Sequence, residues 1–137
     1  MQQLLPQFLI IGLGGALGSM ARFGVASLID NMMQKTGPVF FVGTMLVNIT
    51  GCLLIGFIFA ISDTEGRFYL SPLVRQFVLV GFLGGYTTFS SFSLQTLLLA
   101  QDGQWVQAAA NVLLSVVLCL VGVWLGATLA GMLNQMR

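Results

Sequence analysis

The sequence predicts an all-α membrane protein of four transmembrane helices, and three observations predict it. Of 137 residues, 57% are hydrophobic and only 7% are charged, with a mean hydropathy of +0.96, against roughly 25% charged residues in an average soluble domain. Four runs of helix length carry almost no charge, at about residues 5–29, 39–61, 76–100 and 105–132, where about 20 apolar residues suffice to cross a bilayer. None alternates polar with apolar residues as a barrel strand must, so a backbone placed in lipid satisfies its hydrogen bonds as helix. The length allows one domain, residues 1–137.

The first run, Leu5 to Ile29, has its first charged side chain at Arg22. It lacks the basic start of a signal peptide and is expected to stay in the protein. Its "GLGGALG" at 12–18 has the look of a dinucleotide loop, but no strand precedes it and the spacing is GxGxxxG rather than GxGxxG. Gly14 and Gly18 form instead a GxxxG spacing, which lets helix backbones approach closely in lipid, either within the bundle or between subunits. The second run, Val39 to Ile61, has Asn48 and Thr50 as its notable polar groups.

The third run, Gln76 to Ala100, contains "GFLGGYTTFSSFS", a glycine pair followed by five serine and threonine side chains. The pair Gly84–Gly85 weakens the helix about halfway across and predicts a break over Gly84 to Thr87. A break at membrane depth frees carbonyl oxygens that protein, water or an ion must satisfy, and carbonyls turned inward are cation ligands. The fourth run, Trp105 to Met132, carries Asn111, Ser115 and a second GxxxG at Gly122 and Gly126. Connections are short, so consecutive helices run antiparallel. Trp105, Phe68 and Tyr69 fall near helix ends, where aromatic side chains anchor at the interface.

Charge excludes several functions. The net charge of +1 offers no footprint for nucleic acid. The chain has no histidine, and its four acids, Asp30, Asp63, Glu65 and Asp102, lie in or at connections. A proton relay needs ionisable groups inside the spans, and neither an imidazole metal cluster nor a catalytic triad can be assembled, so the protein is not expected to be an enzyme. Cys52 and Cys119 both fall in apolar runs and read as small packing residues rather than a disulfide or metal site.

Loop cations set orientation weakly. Arg67, Arg75 and Arg137 share one side, against Lys35 and, if it reaches the interface, Arg22 on the other. So slight a bias is compatible with insertion both ways, and hence with an antiparallel, dual-topology homodimer. Four helices are also too few to shield a polar path from lipid, which favours an oligomer.

Inside the spans the polar groups are neutral donors: Asn48, Thr87, Thr88, Ser90, Ser91, Ser93, Asn111 and Ser115. An anion leaving water needs N–H or O–H groups in place of its hydration, although such groups also serve simply to hold membrane helices together. Phe89 and Phe92 are three apart and share a helix face. Aromatic edges are electropositive, so turned toward a path they favour an anion.

"GFLGGYTTFSSFS" closely resembles the signature of the Fluc family of fluoride channels, also called the CrcB family. Ser91 stands where threonine is usual. "GGALGSMARF" at 14–23 and "GTMLVNITG" at 43–51 resemble the family's first- and second-helix segments. The resemblance implies a multi-pass protein of the inner (plasma) membrane. There it would pass cytoplasmic fluoride out passively and reduce fluoride toxicity, as an inverted homodimer with two pores. It further implies that Asn48 donates to fluoride, that Phe89 and Phe92 turn ring edges to the ion, and that Thr88 and Ser115 belong to the polar path. Cys119 takes the next position of the fourth-helix track. Gly84 and Thr87 would hold a structural, untransported Na⁺ through their backbone carbonyls, and Arg22 is the family arginine of the vestibule or scaffold.

Two other classes compete. Transporters similar to the small multidrug resistance proteins need a glutamate in the first span, and residues 5–29 have none. A non-transporting assembly subunit accounts for the glycines but leaves the clustered donors without a purpose.

Overall fold

In the computed structural model, residues 4–33, 42–62 and 68–136 are described. The ordered elements are α1 (Leu4–Met33), α2 (Val42–Ile61), α3 (Pro72–Arg75), a π-helical segment (Gln76–Leu83), α4 (Gly84–Tyr86), α5 (Phe89–Gln101) and α6 (Trp105–Gln135). Four stretches are long and apolar enough to span a membrane: α1, α2, the composite Pro72–Gln101, and α6. The expected four-span architecture is therefore present, with the third span interrupted. Lys35, Asp63, Glu65, Arg67 and Arg137, on which the reading of loop charge depended, lie outside the described residues, as do the first residues of the expected second run.

Three boundaries differ from expectation. α1 continues beyond Ile29, so Asp30 sits in its last turn rather than in a connection. Its side chain ties the first two spans together there. Asp30 Oδ1 accepts a hydrogen bond of 3.0 Å from the Gly43 N–H, one of the donors that the start of α2 leaves without a helical acceptor. The third span begins earlier than expected, because Pro72 occupies the first turn of α3, where its missing N–H and fixed φ cost nothing. α6 runs on to Gln135.

The glycines decide which helices touch. At Gly14 an added Cβ would lie 2.6 Å from the Phe77 carbonyl oxygen, and at Gly18 it would overlap the Phe82 carbonyl, so α1 lies backbone to backbone against the π segment. Across the molecule, an added Cβ at Gly126 would strike the Leu53 carbonyl, and one at Gly56 the Val123 carbonyl, which joins α6 to α2. Both GxxxG spacings are thus contacts within one chain. Lipid offers no hydrophobic drive for helix association, so close backbone packing supplies it.

Outside these seams the surface is apolar. Phe8, Leu17 and Phe23 on α1 and Leu113, Leu120 and Trp124 on α6 are all exposed, as befits faces turned to lipid or to another subunit. Phe68, Tyr69 and Trp105 are exposed at the ends of spans, where interfacial anchors belong.

The α5–α6 turn follows the Schellman pattern. Gln104 N–H donates to the Leu99 carbonyl at 2.8 Å and Gly103 N–H to that of Ala100 at 3.1 Å, with Gly103 at φ +74°. Gly103→Ala is expected to destabilise the protein by about 1 kcal/mol, since a Cβ is disfavoured at positive φ. A thermal unfolding midpoint equal to or above that of the parent protein would refute this.

Candidate functional site: a cavity beside the break in the third span

The third span breaks at Thr87 and Thr88, not at the glycine pair. Gly84 is helical, at φ −64° and ψ −34°, whereas Thr87 (φ −83°, ψ 155°) and Thr88 (φ −151°, ψ 120°) are extended. The glycines serve packing instead: a Cβ at Gly85 would lie 2.5 Å from the Gly15 carbonyl oxygen on α1. The π segment was not foreseen either. It contains no proline and carries no local marker. Its extra residue per turn accompanies the seating of Gly81 against Gly14, whose Cα would be 3.0 Å from a Cβ at Gly81.

The break is held by Asn48, 40 residues earlier in the chain. Its Oδ1 accepts from the Thr88 N–H at 2.7 Å, and its Nδ2 donates to the Thr88 carbonyl at 3.0 Å. One carboxamide thus replaces both hydrogen bonds that Thr88 would make in a continuous helix, at a residue only 8% exposed. The next turn is capped locally, with Ser91 N–H donating to Thr88 Oγ1 at 3.3 Å, the usual service of a threonine N-cap.

These two captures free carbonyls. In an unbroken helix the Thr88 N–H would bond to the Gly84 carbonyl and the Ser91 N–H to the Thr87 carbonyl. Both donors are diverted, to Asn48 and to Thr88 Oγ1. The oxygens of Gly84 and Thr87 therefore lose their helical partners together, and Gly84 is exposed on the outside of the chain.

Next to the break lies a cavity of about 240 Å³, lined by Asn48, Cys52, Thr87, Thr88, Phe89, Phe92, Ser115, Val116 and Cys119. It brings together Asn48, Thr88, Phe89, Phe92 and Ser115, the expected path residues. Phe92 is 8% exposed and Phe89 76% exposed. Their rings lie 5.2 Å apart between centroids and are tilted by 51°, so one closes the inner wall while the other stands at an open rim. Most of the lining is apolar carbon, and the polar groups are few.

The donors can be followed one at a time. Asn48 Nδ2 carries two protons, and one goes to Thr88, which leaves the other for an occupant. Ser115 Oγ is 3.3 Å from its acceptor, Asn111 Oδ1, and a hydroxyl rotation would redirect its proton. Behind it, Asn111 Nδ2 donates to Thr96 Oγ1 at 2.9 Å, and Thr96 Oγ1 to the Phe92 carbonyl at 2.8 Å. This network fixes the backbone that carries Phe92. On the other side of α5, Gln95 Nε2 donates to Thr44 Oγ1 at 2.8 Å, while Gln95 Oε1 is buried with no hydrogen-bond partner. Ser93 Oγ donates to the Phe89 carbonyl, and Ser90 and Ser91 group around Thr88, so most hydroxyls of the motif stabilise the helix start.

Arg22 does not line the cavity. It is half-buried on α1, about three turns before the end of that helix, deeper than the end of the shorter predicted run suggested. Cys52 and Cys119, expected as packing residues, are free thiols that line the cavity. A signal for them existed in the spacing: Thr44, Asn48 and Cys52 recur every fourth residue on α2, as do Asn111, Ser115 and Cys119 on α6, which places each trio on one helix face.

The chain matches the family model described as CrcB-like protein, Camphor Resistance (CrcB), over residues 9–127. It is 47% identical over 130 residues to a protein of Methylocella silvestris, covering 95% of this chain and 97% of the relative. It is 49% identical over 130 residues to one of Opitutus terrae, covering 95% and 96%. With one of Rhodospirillum rubrum it shares 49% over 128 residues, covering 93% and 97%. All three relatives are named fluoride-specific ion channel FluC. With its four spans, its interrupted third helix and a match that runs through all of them, this chain belongs to the CrcB family.

Proposed function

We propose that this protein is a fluoride-specific channel of the inner (plasma) membrane, which lets cytoplasmic fluoride leave down its electrochemical gradient. The observation that carries the reading is the cavity at the break, which Asn48, Phe89 and Phe92 line together, with one Nδ2 proton of Asn48 not used by Thr88. A small, strongly hydrated anion needs compact donors to replace water, and positive ring edges serve without adding a charge that would trap it. The relatives named as fluoride channels support the same reading. Passive conduction calls for no catalytic group and no carboxylate at the path. Arg22, half-buried on α1, favours anion approach from one end through its positive field.

The working unit in this reading is an inverted homodimer. A phenylalanine 76% exposed at a cavity rim and an exposed Gly84 before the break in the same span are surfaces that a second copy would cover. The residues there fit a structural Na⁺: the Gly84 and Thr87 carbonyls have lost their helical donors, and hard cations bind oxygen ligands. The Gly84 and Thr87 carbonyls would hold the cation, a second copy would supply further oxygen ligands, and the bound cation would supply a fixed positive charge at the break. Asn48 meanwhile keeps Thr88 extended, Thr88 caps α5, and Phe92 is held by the Thr96 and Asn111 network.

Fluoride efflux from liposomes containing the purified dimer, with a potassium ionophore to balance charge, is expected to be rapid, and chloride efflux absent. Phe92→Ala is expected to cut fluoride efflux about tenfold or more, the effect of roughly 1.4 kcal/mol on a barrier, with the dimer intact by size exclusion. No fluoride efflux from the folded parent dimer would reject the channel. Uniform orientation by cysteine labelling in cells would reject the inverted arrangement.

A further inference from the structure

Two of the residues that line the cavity are cysteines. Cys52 on α2 and Cys119 on α6 are each one turn beyond a polar lining residue, Asn48 and Ser115. Both thiols are free and half-buried, and both line the same cavity. The helices that bear them cannot drift apart easily. A Cβ at Gly122, one turn from Cys119, would lie 3.7 Å from the Cys52 Cβ, and Gly126 sits against the Leu53 carbonyl.

Two facing thiols in an apolar cavity are a soft ligand pair, and thiolate selects soft cations. Among the described residues no group of three or more His, Cys, Asp or Glu side chains comes together. A tetrahedral zinc site, which takes four ligands, is therefore not available from these side chains, whereas d¹⁰ cations that accept two opposed sulfurs need nothing more. Two metal–sulfur bonds of about 2.3 Å in line span about 4.6 Å, a separation that thiols lining one cavity of about 240 Å³ can reach by side-chain rotation.

We infer that Cys52 and Cys119 form a two-thiolate site for a soft d¹⁰ cation such as Cu⁺, Ag⁺ or Hg²⁺, and that its occupation obstructs the cavity beside Phe92 and Ser115. Binding forms two metal–sulfur bonds, breaks two S–H bonds and releases two protons to water, as thiolate ligation requires. The metal keeps its oxidation state. A monovalent cation leaves the site with one net negative charge, which repels an anion; Hg²⁺ leaves it neutral and obstructs by its bulk. The obstruction rests on the channel reading, and the metal site does not.

The test uses the full-length protein, Hg²⁺ as the probe and two readouts. Intact mass of the folded protein is expected to show one Hg²⁺ per chain in place of two protons, with both thiols lost to a thiol titrant. Cys52→Ser and Cys119→Ser are each expected to surrender Hg²⁺ to about tenfold less competing monothiol, since one sulfur remains. In liposomes Hg²⁺ is expected to lower fluoride efflux about tenfold relative to the same protein before addition, with a dithiol restoring it. Each serine variant is compared with its own untreated efflux and is expected to lose this sensitivity. Two Hg²⁺ per chain, or serine variants that hold Hg²⁺ as tightly as the parent, would overturn the site. Bridged Hg²⁺ with undiminished efflux would overturn the obstruction, whereas bridged Hg²⁺ in a protein that never passed fluoride would reject the channel reading and leave the site standing.

Discussion

Asn48→Ala is expected to lower fluoride efflux at least about tenfold and to destabilise the protein by about 2–4 kcal/mol. The substitution deprives the Thr88 N–H and carbonyl of their partners at once. Each buried polar group left unsatisfied costs about 1–3 kcal/mol. The lower part of the combined range applies because the neighbouring cavity, at about 240 Å³, has room for water to replace the lost bonds. Efflux falls for a second reason, the loss of the spare Nδ2 proton. Asn48→Asp separates the two effects. An ionised carboxylate there repels the anion. A neutral one can reproduce both bonds to Thr88 but has no proton left over. Thermal unfolding and liposome efflux measured on both variants decide the matter. Parent-like efflux in Asn48→Asp would remove Asn48 from the conduction path, and an unchanged melting temperature in Asn48→Ala would show that the break does not depend on it.

The second large effect is expected at the helix seams. Gly18→Ala and Gly126→Ala introduce a methyl group where the Phe82 and Leu53 carbonyls already stand. Backbone atoms cannot move aside as a flexible side chain would, so each helix pair must separate, at a cost of about 1–3 kcal/mol or more. Separation also reaches the cavity: Gly126 joins α6, with Ser115 and Cys119, to α2, with Asn48 and Cys52, and Gly18 packs on the span that carries Thr87, Thr88, Phe89 and Phe92. Both variants are expected to lose most folded protein on purification and to show reduced efflux in what remains. Gly131→Ala is the control. Nothing lies within 4 Å of its added Cβ, and alanine is the better helix former by about 1 kcal/mol. Equal yields and melting temperatures for Gly18→Ala, Gly126→Ala and Gly131→Ala would refute the close-packing account.

Much of the site is legible in the sequence. The donors and rings stand out because polar groups are rare in spans this apolar. Asn48, Thr88, Phe89, Phe92 and Ser115 do line one cavity. The position of the break is not legible, for a physical reason. Glycine's weak helix propensity points to Gly84–Gly85, but in a membrane a helix with no competing hydrogen-bond partner stays helical even through glycine. Thr87 and Thr88 leave the helix because Asn48 Oδ1 takes the Thr88 N–H and the Thr88 hydroxyl takes the Ser91 N–H in place of their helical acceptors. The cysteines are free thiols, as their apolar context suggests, and the seating of α2 on α6 brings both to one cavity.

Sequence alone determined the four spans, the lack of histidine and the identity of the neutral donors inside the spans. Those properties are local, since crossing a bilayer depends on the composition of some twenty consecutive residues. Tertiary structure decided where the third span breaks, which carbonyls the break frees, and which side chains share the cavity. Each of these depends on hydrogen bonds and backbone contacts between residues far apart in sequence, such as Asn48 with Thr88 and Gly126 with Leu53, and no local propensity encodes such a meeting.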